Sequence, residues 1–245
     1  LNDALYLNPS FVSFLPSYSI SGNYLFYRGT PKADSTPSDT HGHAINASLQ
    51  DGRSELFQAG VGFTQNEFSR IITVGASKSI VQKFGLGAGG KFMLPHGTAQ
   101  SLIWDTTISG TFIPLDWLQV AVVLDNLLET EDGRRNGLFR EYILGTKVNV
   151  MGIVLGYFDP HWASHAPNGS AFGHELGLEF PVFKDFFLRM GNFRNAKIPF
   201  LNTYTRGYSA GIGWIAPRMS IDYALTRVLD PEPVFGHQFG VTVFF

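Results

Sequence analysis

Ser164 and His165 stand side by side in a stretch that also holds Asp159 and His161, the residue types of a hydrolytic relay. Such a relay needs the base held between nucleophile and acid, each on its own support. Adjacent residues of one loop point apart, and Asp159 has no fixed geometry there, so no catalytic group is expected. His41 and His43 offer two imidazoles at i, i+2. At the junction of a polar loop and a strand they read as solvated, and no metal site is expected. Gly85-Leu-Gly-Ala-Gly-Gly-Lys91 has the glycine content of a phosphate loop. No helix follows it, and the glycine spacing is that of one strand face, so no cofactor is implied. Glu129, Glu131, Asp132, Arg134 and Arg135 read as a solvated external loop. What remains is a set of sparse charges among Gly, Ser and Thr: Lys91, Asp105, Asp125, Glu141, Lys147, Glu175, Glu179 and Asp222. Their mixed signs suit pairing across a confined interior, which makes them the candidate lumen or ligand residues.

The elements that carry these charges repeat one pattern. In the last stretch, Phe235, His237, Phe239, Val241, Val243 and Phe245 share one face of an extended strand, with Gly236, Gln238, Gly240 and Thr242 on the other. Segments of about ten residues with the same two-faced character recur from Tyr18 onward, the length a tilted membrane strand needs. They predict about 14 strands, an even number, as in bacterial outer-membrane barrels. Every second connection is tight, beginning at Asp51–Ser54, and the long polar loops fall in the other set. Short turns at one end and long loops at the other are the habit of outer-membrane barrels, and a soluble sandwich has no reason to keep that order. One strand is expected over Val150–Phe158, with a loop over Asp159–Ser170. Trp104, Trp117, Trp162, Trp214, Tyr18, Tyr142, Tyr157 and Tyr208 fall mostly near strand ends, where interfacial girdles would use them.

Composition agrees. The 245 residues are 44% hydrophobic, 14% aromatic and only 16% charged, with 27 glycines. Mean hydropathy is +0.03, and no run approaches the roughly 18–20 apolar residues of a spanning helix. Zero cysteines exclude a disulfide scaffold, a thiolate metal site and a Cys nucleophile. A net charge of −2 gives no basis for nucleic-acid binding. A start at Leu1 rather than Met is expected from a removed export signal or from a trimmed chain. The expected class is all-β: residues 1–17 form a plug or arm, and residues 18–245 an antiparallel transmembrane barrel. The plug candidates are Leu7, Asn8, Pro9, Phe11 and Phe14.

Ala4-Leu-Tyr-Leu-Asn-Pro-Ser10 ahead of the first strand resembles the Asn-Pro-Ala element of the FadL/PorV-like outer-membrane proteins, with Ser10 in place of the usual alanine. Gly85–Lys91, the strand with Asp105, and Leu118-Gln-Val-Ala-Val-Val-Leu-Asp-Asn126 look like the same superfamily. The resemblance implies 14 strands, an N-terminal plug, and a barrel that binds or admits hydrophobic molecules or lipids. It also implies the bacterial outer membrane, with both termini periplasmic. Expected partners are outer-membrane lipids, a hydrophobic small molecule and a second copy of the chain. A porin-like or structural barrel that oligomerises and organises lipid, without transport, stays open as the alternative.

Overall fold

The computed structural model describes residues 4–30, 40–97, 101–166, 171–198, 203–230 and 232–245. It is a closed antiparallel barrel of 14 strands, each paired to its sequence neighbours. The strands are β1 (Tyr18–Gly29), β2 (His41–Asp51), β3 (Gln58–Gln65), β4 (Ser69–Val81), β5 (Phe84–Pro95), β6 (Ile103–Leu115) and β7 (Leu118–Asp125). They continue as β8 (Glu141–Val150), β9 (Val154–Ala163), β10 (Phe172–Phe183), β11 (Phe186–Ile198), β12 (Thr203–Ala216), β13 (Met219–Val228) and β14 (Val234–Phe244). Closure is made by β1 against β14, in register from Ser19↔Phe244 to Gly29↔Val234. It leaves no sheet edge. In hydrocarbon an unpaired backbone amide or carbonyl costs several kcal/mol, so a spanning sheet must close.

The alternation is realised as a lipid-type wall outside and a small, polar wall inside. Along β6, Trp104, Ile108 and Phe112 are exposed, while Asp105, Thr107, Ser109 and Thr111 are buried. The turns 82–83, 116–117, 184–185 and 217–218 lie at one end of the barrel, with the start of β1 and the end of β14. The longer connections, such as 126–140, lie at the other. Trp117, Phe183, Phe186 and Phe245 ring the outside of the turn end, and Trp104, Tyr142, Trp162 and Phe172 the loop end. Tyr142 and Trp162 stack at 5.5 Å. Tyr157 does not belong to these girdles: it lies on the inner face of β9, where the ammonium of Lys147 sits 5.5 Å from its ring centre.

Three connections differ from the sequence expectation. Residues 151–153 form the turn after β8, with Met151 and Gly152 both at positive φ. The amide of Gly152 donates to Asn149 Oδ1 at 2.8 Å. The next strand is therefore Val154–Ala163 rather than Val150–Phe158, and Asp159, Pro160 and His161 stand in the wall. Proline has no amide for the ladder, and the β8–β9 pairing is interrupted between Ile143↔His161 and Thr146↔Phe158. The Asp159 carboxylate takes up the slack, accepting the Thr146 amide at 3.1 Å. Secondly, β11 runs on to Ile198 through a bulge at Asn195, whose φ is +52°. Thirdly, the loop 126–140 contains α2 (Glu131–Arg135), capped by the Thr130 hydroxyl. Residues 31–39, 98–100, 167–170 and 199–202 of the long connections, which include part of the loop expected over Asp159–Ser170, lie outside the described residues.

Candidate functional site

The N-terminal segment lies inside the barrel. It consists of α1 (Ala4–Leu7) and a 3-10 turn (Pro9–Phe14), seated against the inner faces of β3 to β6. The seat is made of glycine. A methyl group on Gly87 would strike Ser10 N at 2.2 Å and the Pro9 carbonyl carbon at 2.5 Å. On Gly75 it would meet Leu5 at 2.8 Å, and on Gly85 Phe14 at 2.8 Å. The stripe that alternates with Leu86 and Ala88 is thus a track for another stretch of chain. Polar bonds fix the depth: Asn8 Nδ2 donates to Thr111 Oγ1 at 3.0 Å, and Ser10 N to Ser109 Oγ at 2.8 Å. Of the expected plug residues, Pro9 is buried, Asn8, Phe11 and Phe14 are half-buried, and Leu7 is 68% exposed. Leu5 and Val12, which sequence reading did not single out, are as deep as Pro9 and Ser10. The segment has no strand or helix period to reveal them.

The expected lumen charges fall into distinct settings. Lys91 meets Asp125 at 2.5 Å, and Asn126 and Thr107 complete that cluster. Asp105 is fully buried and faces no open space. It accepts the amides of Leu128 at 3.0 Å and Glu129 at 3.1 Å, so it anchors the loop 126–140. Leu138 of that loop packs on Met93 and Ile103 inside the loop end, and Lys197 Nζ donates to Gly137 O at 2.5 Å. Glu179 and Asp222 share Arg189, Glu179 at 2.6 Å from its Nε and Asp222 on its Nη1. Glu141 pairs with Nδ1 of His161. Glu175 makes no hydrogen bond or ion pair among the described residues. Arg189 and His161 are the functional-site residues that sequence reading missed. Inner-face alternation along Phe187, Arg189, Gly191 and Phe193 is the signal that reveals the first; the misplaced loop hid the second.

At the loop end, Tyr27, Phe193, Ala196, Val228 and Val234 form a buried apolar cluster, with Leu25 and Ile198 packed against it. This cap spans the inner faces of β1, β11, β13 and β14. The bulge at Asn195 restores the inward direction of Ala196 and Ile198, which places them in it.

Ser164 Oγ lies 3.3 Å from His165 Nδ1, and the acid is Glu129, 2.7 Å from the same nitrogen. A relay needs serine and acid on opposite nitrogens of the ring, and this arrangement does not form one. It is instead a tie between two loops. Burial acts to raise the Glu129 carboxyl, but the bond to His165, the Arg140 amide at 3.2 Å and the Arg140 charge outweigh it and hold the group below its ordinary 4.5. Glu129 is therefore buried and paired, unlike the solvated group expected.

No family model matches the sequence, and no curated protein matches it. Solved structures do match. The chain is similar to CymD, a monoaromatic hydrocarbon channel, with TM-score 0.71 and 11% identity over 100% of this chain and 93% of that one. It is similar to a Pseudomonas aeruginosa FadL homologue, with TM-score 0.61 and 12% identity over 99% and 93% of the two chains. The Pseudomonas putida toluene transporter TodX gives TM-score 0.59 and 13% identity over 99% and 92%. At such identities the likeness is one of fold. The chain shares the β-barrel architecture of these proteins.

Proposed function

We propose that this protein is an outer-membrane channel that admits small hydrophobic molecules, with residues 4–17 as its plug. Both termini and the short turns face the periplasm; the loop 126–140 and residues 164–166 face outward. The observation that carries the reading is the N-terminal segment folded into the barrel on a glycine track, beneath an apolar cap at the loop end. The proteins that share this fold are named as a monoaromatic hydrocarbon channel and a toluene transporter. A barrel that only organises lipid gives no role to the buried segment or to the cap. No catalytic relay enters this function. Outer-membrane lipid covers the exposed wall, and a second copy of the chain is an additional partner that native mass spectrometry of extracted protein would count.

Uptake of radiolabelled toluene by cells that express the protein, in a host without such channels, tests the reading. Uptake above the empty-vector rate supports it; equal rates overturn it.

A further inference from the structure

Beneath the apolar cap, two polar side chains on the inner wall are open and unpartnered. Glu175 lies directly across the strand from Phe193, and Gln238 directly across from Leu25. Both residues alternate with outward apolar neighbours, Leu176 and Phe239, so they face the interior. Both are nonetheless exposed, which requires free space inside the barrel at that level. Among the described residues, neither side chain makes a hydrogen bond. The side chains of Arg189 and Asp222, further toward the turn end, are 38% and 36% exposed and border the same inner wall.

The wall around Glu175 is negative. Asp159 is its direct cross-strand neighbour on β9, and Glu141 stands on β8 beyond. The basic group in this patch is His161, which Glu141 already engages. His161 is 6% exposed, and its Nε2 has no hydrogen-bond partner. That ring lies over Gly173, two residues from Glu175 on the same face. A carboxylate open to that space, with no protein partner among the described residues, is free to exchange water for a cationic group through a charge-assisted hydrogen bond.

We infer that the space beneath the cap binds small hydrophobic amines, with the apolar body against Phe193 and Leu25 and the ammonium on Glu175. This rests on the proposed channel function and narrows it, from hydrophobic molecules in general to those with a cationic head. A charge-assisted hydrogen bond in a confined site gives a preference of about tenfold over a neutral analogue of the same shape.

The test compares benzylamine, benzyl alcohol and toluene at pH 7 on the purified barrel, by calorimetry and by uptake. The inference expects benzylamine to bind about tenfold tighter than benzyl alcohol. Glu175→Gln should abolish that preference, and an unchanged heat-modifiable migration would show that the variant folds. Glu131→Gln, on the exposed helix α2, should change nothing. Equal affinity for benzylamine and benzyl alcohol, or a preference that survives Glu175→Gln, overturns the inference and leaves the channel reading standing. Failure of the wild-type barrel to take up toluene or to bind any of the three overturns both.

Discussion

At the scale of single residues, the inner glycines separate into those that receive the N-terminal segment and those that do not. Gly87 faces the backbone of Pro9 and Ser10, which cannot move aside as a side-chain tip can. Gly87→Ala is expected to cost about 1–3 kcal/mol through overpacking, or to expel the segment. Gly22→Ala, on the outer face of β1, is the control, because a Cβ there meets nothing within 4 Å. Urea melts of the two variants, with protease access to residues 4–17, measure the difference. Leu5, 1% exposed and held between Gly60 and Gly75, is the deepest apolar anchor of the segment. Leu5→Ala should weaken seating by about 2–5 kcal/mol, since the rigid glycine floor cannot collapse into the cavity. The same protease assay reads that loss.

Among the elements, the loop 126–140 is held by four ties: Asp105 beneath it, Leu138 on the apolar floor, the Lys197 ammonium on the Gly137 carbonyl, and the Glu129–His165 bond to the neighbouring loop. Asp105→Ala removes the acceptor of two amides and leaves them unsatisfied, so the loop should undock while the strands remain paired. Hydrogen exchange confined to residues 126–140 would report that outcome. The Glu129 tie also predicts a pH response. The folded carboxyl titrates below its ordinary 4.5, so its stabilisation is fully present above that value and is lost as pH falls through the folded pKa. The sequence has no cysteine, which lets a spin label at Arg134→Cys follow the loop alone. Its mobility should rise only as pH falls below that ordinary value, and His165→Ala should move the onset to higher pH.

For the molecule as a whole, lipid and lumen faces predict opposite tolerance to charge. Leu144 points outward from β8 and is 47% exposed. Leu144→Arg is expected to cost about 2–4 kcal/mol in a bilayer, as charges on a barrel's lipid face do. A heat-modifiability assay in reconstituted lipid shows the loss. Orientation is testable with single cysteines. A membrane-impermeant maleimide should label Arg134→Cys on intact cells, and should reach Lys184→Cys, in the turn 184–185, only after the outer membrane is opened. The reverse pattern would invert the proposed topology.

The sequence by itself determined the wall. A period of two is local, so which residues of Trp104–Phe112 or Phe235–Phe245 face out, where the tight turns fall, and that an even number of strands closes could all be read along the chain. Local reading failed at Asp159, Pro160 and His161, where proline and polar residues look like a loop. There the wall tolerates a broken ladder because a carboxylate replaces the missing bond. The tertiary structure alone decided what the interior contains. Lys91 and Asp125, Arg189 and Asp222, or Tyr27 and Phe193 meet only because closure and strand register bring distant residues to one level. Seating of the N-terminal segment on Gly60, Gly75 and Gly87 has the same origin. Glycine on a strand face signals room, but only the closed barrel shows what fills it, and that Glu175 and Gln238 are left open beneath the cap. Facing is set by backbone geometry residue by residue, whereas pairing across a lumen depends on the register of every strand between the partners.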